Sequence, residues 1–205
     1  MKKLFPILLL ALFAFAATAA EDDATPLTPA QAEAKYTATL EGRAADILKI
    51  LALTDTSHAA KVHDLIIAQY RALNAWHATN DAAVKAARKD PAATARILGT
   101  LLPIHDAFIA GLSANLTPEQ VEQVKDKMTY GKVQFTYTGY CNQYPNLSAA
   151  NKQEILRLLK AAREEAMDAG SAKEKTAVFT RYKGKINNYL SHQGIHRDKA
   201  KTTEP

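Results

Sequence analysis

The chain has 205 residues, 47% of them hydrophobic and 23% charged, with a single cysteine, Cys141, and a formal net charge of +5. This length suits one folded domain with its own core, and a lone cysteine excludes an internal disulfide. Two of the basic residues belong to the first three positions; without them 24 basic residues face 21 acidic ones, a net charge of about +3. That charge is too small to indicate nucleic acid as a partner.

The N-terminus has the pattern of a secretory signal peptide. Two lysines are followed by an apolar run at 4–17 and by small residues at 18–20. This order predicts cleavage near Ala19 and export to the periplasm or the outside. The run is shorter than a bilayer requires, so we expect no stable membrane span after cleavage. The predicted divisions are a signal peptide at 1–19, a linker at 20–27, a single helical domain at 28–196 and a frayed tail at 197–205.

Signals for helix starts recur along the mature chain. Thr28-Pro29-Ala30-Gln31 and Thr117-Pro118-Glu119-Gln120 are capping boxes with proline at the first helical position. Further caps precede apolar stripes of helical spacing: Asp55 or Thr56, Asp90, Ser148 and Ser171. Pro103 lies inside the third pattern and predicts a kink or break there. The fold class is therefore all-α, a bundle of five to six helices.

The segment at about 128–145 differs in composition from these helices. It holds half of the eight tyrosines, with Phe135, β-branched residues and two glycines, which predicts an extended loop or short hairpin. A tyrosine combines an apolar ring with a polar hydroxyl, as a sugar ligand requires, although such rings can also pin a loop to helices. The candidate ligand contacts in and beside this segment are Lys125, Asp126, Tyr130, Tyr137 and Tyr140.

Two other places carry candidate polar contacts. His77 and Asp81 are four residues apart and would share a helix face, either as an oriented imidazole at a site or as a surface pair. Asn187 and Asn188 are poor helix formers in mid-helix, which a structural or ligand-facing hydrogen bond would explain. The late basic residues form a solvated helix face or attract an anionic ligand: Lys173, Lys175, Arg181, Lys183 and Lys185.

Standard motifs of catalysis and metal binding are absent from the sequence. It has no Gly-rich phosphate loop, no G-x-S-x-G, no H-E-x-x-H and no paired-cysteine site. His192 and His196 are four residues apart, but Gly194 between them argues against a helical metal site. We expect no metal and no cofactor.

Several blocks of the sequence resemble a bacterial family of unknown function, the one numbered 3826. They are Gln69-Tyr70 with Leu73-Asn74 and His77, then 124–130, 136–140, 162–168 and 182–191. The family is described as sugar-binding, and its exported members are associated with polysaccharide breakdown, pectin in particular. Lys127 replaces a glycine common in the family, and Thr176 replaces a histidine that commonly follows Glu174-Lys175. If that histidine is catalytic, this member lacks it.

The resemblance and the residues together support three hypotheses. The first is an exported carbohydrate-binding or accessory protein, in which Arg163 and Asn187 join the candidate contacts, because a guanidinium fork matches a uronate carboxylate. The second is a lyase or hydrolase, whose acid–base residues would converge in one cleft: Tyr130, His77, Lys125 and Asp168. The third is a non-catalytic interaction module of the envelope with a broad apolar patch. We favour binding over catalysis.

Overall fold

The computed structural model describes residues 26–196, of which 81% are helical and none forms a strand. The predicted signal peptide, most of the predicted linker and the predicted tail lie outside the described residues. The helices are α1 (Pro29–Leu51), α2 (Thr56–Ala87), α3 (Pro91–Gly99), α4 (Leu102–Ser113), α5 (Pro118–Met128), α6 (Lys132–Gln143), α7 (Ala149–Met167) and α8 (Ala172–His192). With α3 and α4 counted as one broken helix, the described part has seven, so the all-α prediction is confirmed and the predicted number was too low.

Local sequence explains where these helices begin. Both predicted capping boxes are formed: the Thr28 and Thr117 hydroxyls accept from the backbone N–H three residues on, and the glutamine side chains there accept in return. The predicted break near Pro103 is confirmed as a turn at Thr100 and Leu101. Proline lacks an N–H and crowds the preceding turn, so the chain starts a new helix around it.

The prediction of an extended loop or hairpin at about 128–145 was wrong, because most of this segment is α6. β-Propensity reflects packing more than an intrinsic backbone preference, and residues 26–196 contain no strand with which this segment could pair. Val133 and Tyr140, seven residues apart, instead bury one face of α6 in the core that it shares with α7 and α8. Tertiary packing therefore overrides the local composition.

The core consists of two main clusters and a small third one. The first lies among α1, α2, α4 and α5, and the second among α6, α7 and α8. Leu73, Trp76 and Leu101 form the third cluster, where α2 meets the break between α3 and α4. Met167, at the end of α7, packs into the first cluster and so joins the two halves. The grooves described below lie along this junction and beside it.

One stretch, Pro91–Ser113, is long and apolar enough to cross a membrane by length and composition alone, although only 17% of its most apolar window is buried. It spans α3 and α4 and is interrupted by the turn between them. Two of its leucines, Leu98 and Leu102, are exposed.

Candidate functional site

A groove lined by tyrosines and cations lies between α1, α2, the α5–α6 turn and the start of α8. Its main part has a volume of about 310 Å³, and a smaller hollow of about 80 Å³ adjoins it. We call it the tyrosine groove; its principal residues are Tyr36, Arg43, Tyr70, Tyr130 and Lys175. These residues come from four separate parts of the chain, so the groove exists only in the folded protein.

Tyr130 is held in a strained position at the edge of this groove. The Gly131 N–H donates to the Asp126 carbonyl (2.8 Å) and the Tyr130 N–H to the Lys127 carbonyl (3.2 Å). These bonds end α5 in a Schellman motif with Tyr130 at the left-handed position, φ 60°, where glycine is usual. In the corresponding motif at the end of α8, the residue in the left-handed position is Gly194. A side chain in this conformation costs about 1 kcal/mol, yet 55% of Tyr130 is exposed.

Arg43 and Tyr70 form the opposite wall of the tyrosine groove. The Arg43 guanidinium carbon lies 5.3 Å from the centroid of the Tyr70 ring, a cation–π contact. Burial raises the pKa of Tyr70 to about 12, so its hydroxyl stays protonated and can donate a hydrogen bond. The Tyr36 hydroxyl donates to the Tyr70 carbonyl (3.2 Å) and joins α1 to α2 behind this wall.

Lys175 places a buried ammonium at the bottom of the groove. Only 6% of the residue is exposed, and Nζ donates to the Met128 carbonyl at 3.0 Å. Burial, and next the nearby charge of Arg43, lowers the pKa of Lys175 to about 8, while Asp168 opposes this with a smaller effect. Within residues 26–196, neither Lys175 nor Arg43 forms an ion pair with a carboxylate. Two neighbouring cations without a paired anion favour an anionic ligand.

The N-terminus of α8 adds to this positive potential. Ser171 caps the 21-residue helix, and Gly170, Ser171 and Ala172 line the smaller hollow. The partial positive charge of a helix N-terminus attracts anions. The smaller hollow is therefore lined both by this helix N-terminus and by Lys175.

A second and larger depression, of about 650 Å³, separates the two halves of the fold. We call it the apolar cleft. Its apolar lining comes from three places: Trp76 and Val84 of α2, Leu98, Leu101 and Leu102 around the α3–α4 break, and Ala177 and Val178 of α8. Acidic side chains and two histidines, His77 and His105, line the rest together with Arg181.

His105 and Asp168 form a hydrogen-bonded pair inside the apolar cleft. Nδ1 of His105 donates to the Asp168 carboxylate, with distances of 3.0 and 3.2 Å to its two oxygens. Nε2 faces Glu164 at 3.8 Å, and that carboxylate also pairs with the Lys125 ammonium at 2.9 Å. The hydrogen bond to Asp168 raises the pKa of His105 against the effect of burial. The imidazole is thus oriented between two carboxylates.

His77 forms the wall between the apolar cleft and the tyrosine groove, and it lines both. Its Nδ1 lies 2.8 Å from an Asp81 oxygen and its Nε2 2.7 Å from the Asp168 carbonyl. Burial lowers the pKa of His77, but these hydrogen bonds outweigh it and the net effect raises the pKa. Both partners are acceptors, so the protonated ring, with an N–H on each nitrogen, satisfies both. A Cβ added to Gly170 would lie 2.9 Å from the ring, so this wall is closely packed.

A third groove, between α6 and α8, contains two of the predicted contacts. The Tyr140 hydroxyl donates to Asn187 Oδ1 (2.8 Å), and both residues line this α6–α8 groove of about 840 Å³. Phe135 lies beside them with 81% of its surface exposed. Gly139 and Gly184 leave the groove open, because nothing lies within 4 Å of a Cβ built on either.

Of the remaining predicted contacts, all but Tyr137 lie in an ion-pair network. Arg163 is only 2% exposed, and its guanidinium donates to Asp126 (2.7 Å), Glu122 (2.7 Å) and Glu164 (3.3 Å). This network ties α5 to α7 and occupies Arg163 and Asp126 internally. Tyr137 is partly buried and packs on the second core cluster.

The structure therefore divides the predicted contacts among several places. Tyr130 and His77 border the tyrosine groove, Tyr140 and Asn187 the α6–α8 groove, and Arg163, Asp126 and Lys125 belong to the network. The four proposed acid–base residues do not converge in one cleft. His77 and Asp168 line the apolar cleft, and Lys125 contacts it only through its ion pair with Glu164. Tyr130 lies in the tyrosine groove, on the other side of His77. Among the described residues, no cluster of three or more His, Cys, Asp or Glu could hold a metal ion.

Sequence reasoning missed Arg43, Tyr36 and Tyr70 in the tyrosine groove and His105 in the apolar cleft. Only for Lys175 was a local signal available: it precedes Val178 and Phe179 by three and four residues, which places it on the buried face of α8. The other four meet their partners through contacts between distant parts of the chain.

Comparison with known proteins identifies a family. The profile of a family described as "Protein of unknown function (DUF3826)" matches residues 37–203. No curated protein matches the chain.

Proposed function

The chain belongs to the DUF3826 family, a family of unknown function, and from its grooves we propose that it is an exported protein that binds acidic carbohydrate. The tyrosine groove is the proposed site. The observation that carries the proposal is the buried Lys175 ammonium, which lies beside Arg43 among tyrosine rings and has no paired carboxylate within residues 26–196.

A uronic acid matches this arrangement in both charge and shape. Its carboxylate would bind between the Lys175 ammonium and the Arg43 guanidinium, because charge-assisted hydrogen bonds are stronger than neutral ones. The C–H face of its pyranose ring would pack on the exposed ring of Tyr130, and its hydroxyls would meet the phenol of Tyr70. The predicted signal peptide supports such a ligand, since export brings the protein into contact with glycans.

Binding of oligomers of uronic acid to the mature protein, measured by titration calorimetry, tests this proposal. We expect Arg43→Gln, which removes an exposed charge partner, and Tyr130→Ala, which removes an aromatic contact, each to weaken binding about tenfold. Neutral oligosaccharides of the same length should bind far more weakly. Affinity should also fall as the pH rises through about 8, where Lys175 loses its proton.

Phe135→Ala provides the matched control for Tyr130→Ala. Phe135 is also an exposed aromatic residue, but it lines the α6–α8 groove. We expect its removal to leave the affinity unchanged. Loss of binding in Phe135→Ala but not in Tyr130→Ala would move the site to the α6–α8 groove, and absence of binding at millimolar uronide would refute the proposal.

The hydrogen-bonded pair of His105 and Asp168 favours a second candidate function, an enzyme acting on the same polysaccharides. Asp168 fixes the orientation of the imidazole inside a cleft, as proton transfer requires. Wild-type protein, His105→Gln and Tyr130→Phe would each be incubated with pectic polymers, and new reducing ends and unsaturated products measured. A product formed by the wild type and lost in His105→Gln would establish catalysis in the apolar cleft. Absence of product in all three would leave binding as the function.

A further inference from the structure

The apolar cleft and the tyrosine groove are adjacent. His77 and Ala169 line both, so these two residues lie between them. The hydrogen bonds of His77 and the close packing of Gly170 on its ring hold this wall in place. A ligand that fills one depression and extends past His77 therefore enters the other.

The charged groups of the apolar cleft are mostly neutralised within the protein. Four of its five acidic residues have basic partners: Asp81 with His77, Glu164 with Lys125, Glu165 with Arg181 and Asp168 with His105. The histidines carry charge only when protonated, and the fifth acidic residue, Glu174, has no ion-pair partner within residues 26–196. Such a cleft does not attract an anion, in contrast to the tyrosine groove, where Lys175 and Arg43 have no carboxylate partner within residues 26–196 and the one carboxylate of the lining, Asp46, pairs with Lys127.

The mouth of the cleft exposes large apolar side chains. Leu102 is 60% exposed and Leu98 40%, and both lie at the α3–α4 break. With Trp76 below them, they form a surface that an apolar group can cover. The volume of about 650 Å³ lies within the range of about 300–1,000 Å³ typical of small-molecule sites.

We propose that the apolar cleft binds the sugar next to the uronic acid, a neutral residue that carries an apolar substituent such as a deoxy methyl, O-methyl or O-acetyl group. This inference rests on the proposed function of the tyrosine groove. The ligand is then a mixed glycan in which an acidic sugar and a less polar sugar are neighbours. The tyrosine groove selects the acidic sugar and the apolar cleft selects the less polar one. The acidic residue supplies the charge contact, and the neutral one covers Leu98 and Leu102.

Two disaccharides of equal length test the inference. One is a diuronide; in the other, the same uronic acid is joined to a 6-deoxyhexose. We expect the mixed disaccharide to bind about tenfold more tightly, since burial of a methyl group and a ring face contributes about that much. The double variant Leu98→Gln/Leu102→Gln should remove this advantage and leave diuronide affinity within about twofold. Leu27→Gln, also an exposed leucine but outside the cleft, is the matched control.

The outcomes separate this inference from the proposed function. If the diuronide binds but the mixed disaccharide binds no more tightly, or if its advantage survives in the double variant, the inference is overturned and the tyrosine groove remains the site. If neither disaccharide binds, the proposed function fails and this inference fails with it. If a 6-deoxyhexose alone binds to the cleft as well as the mixed disaccharide does, the two depressions act separately, which also overturns the inference.

Discussion

Replacement of Lys175 by methionine is expected to stabilise the protein while it weakens binding of the acidic ligand. Burial lowers the pKa of Lys175 from 10.5 to about 8. Since a tenfold change in proton affinity corresponds to about 1.4 kcal/mol, the buried ammonium lowers the free energy of unfolding by about 3 kcal/mol at pH 7. Methionine has a similar length but leaves the Met128 carbonyl without this donor, a loss of about 1–2 kcal/mol. The net expectation is stabilisation by about 1–2 kcal/mol.

The pH dependence gives the same expectation an independent check. Lys175 is a base with a lowered pKa in the folded state, so between pH 8 and 10.5 the unfolded chain binds more protons than the folded protein. This group therefore makes wild-type stability rise with pH across that window, and its unfavourable contribution is present in full below pH 8. In Lys175→Met this rise should disappear, and the variant should lose its advantage near pH 10.5.

Urea unfolding of both proteins at pH 7 and at pH 10 measures these differences. Lys173→Met is the control, because Lys173 is an exposed lysine two residues earlier in the same chain segment; its effect should be close to zero. The reasoning is refuted if Lys175→Met is less stable than the wild type at pH 7, or if the two proteins show the same dependence on pH. Loss of uronide binding together with a gain in stability would identify Lys175 as a residue kept for function.

Four other substitutions test the description of the fold and the site. Arg163→Met should destabilise the protein by about 2 kcal/mol in urea unfolding, because Asp126 loses its ion-pair partner and α5 loses its charged hydrogen bonds to α7, although Glu122 keeps Lys160 and Glu164 keeps Lys125. A stable variant that lost only ligand binding would contradict this structural role. His105→Gln should destabilise the protein more at pH 5.5 than at pH 8.5, because the hydrogen bond to Asp168 raises the pKa of His105. Protonated His105 contributes stability below the ordinary pKa of histidine, and this contribution is lost as the pH rises through the raised pKa. Equal effects at both pH values would argue against the pair. Gly170→Ala should lower the melting temperature, because overpacking against His77 lowers the free energy of unfolding by about 1–3 kcal/mol. Gly184→Ala, in the open middle of α8, should raise the free energy of unfolding by about 0.5–1 kcal/mol. The reverse order would refute the contact with His77.

The helices were predictable wherever local chemistry determines them. Capping boxes at Thr28 and Thr117 and the proline at 103 act within a few residues, and each gave the expected start or break. The α6 segment was not predictable in this way, because its aromatic and β-branched residues favour a strand locally while the buried face against α7 selects a helix. A single sequence does not show which neighbour a segment will meet.

The candidate site was predictable only at its edge. Tyr130 and His77 stood out by composition and spacing, and both border the tyrosine groove. Arg43 comes from α1, and nothing in the spacing of α1 indicates that it will approach Tyr70 of α2 or Lys175 of α8. Arg163 shows the opposite case: its fork suits a uronate carboxylate, but in the folded protein the carboxylates of Asp126 and Glu122 already occupy it.

The junction between the two halves has a consequence for how the protein opens. Between them, the Arg163 network and Met167 join α5 to α7, while the apolar cleft leaves space between α2 and α8. Amide hydrogen exchange in α6–α8 should then proceed through opening events that leave the first cluster folded. A glycan that touches α1, α2, α4 and α8 at once would link these events, so protection would spread to amides that the sugar never contacts. Ligand binding would in this way convert two separately opening halves into one cooperative unit.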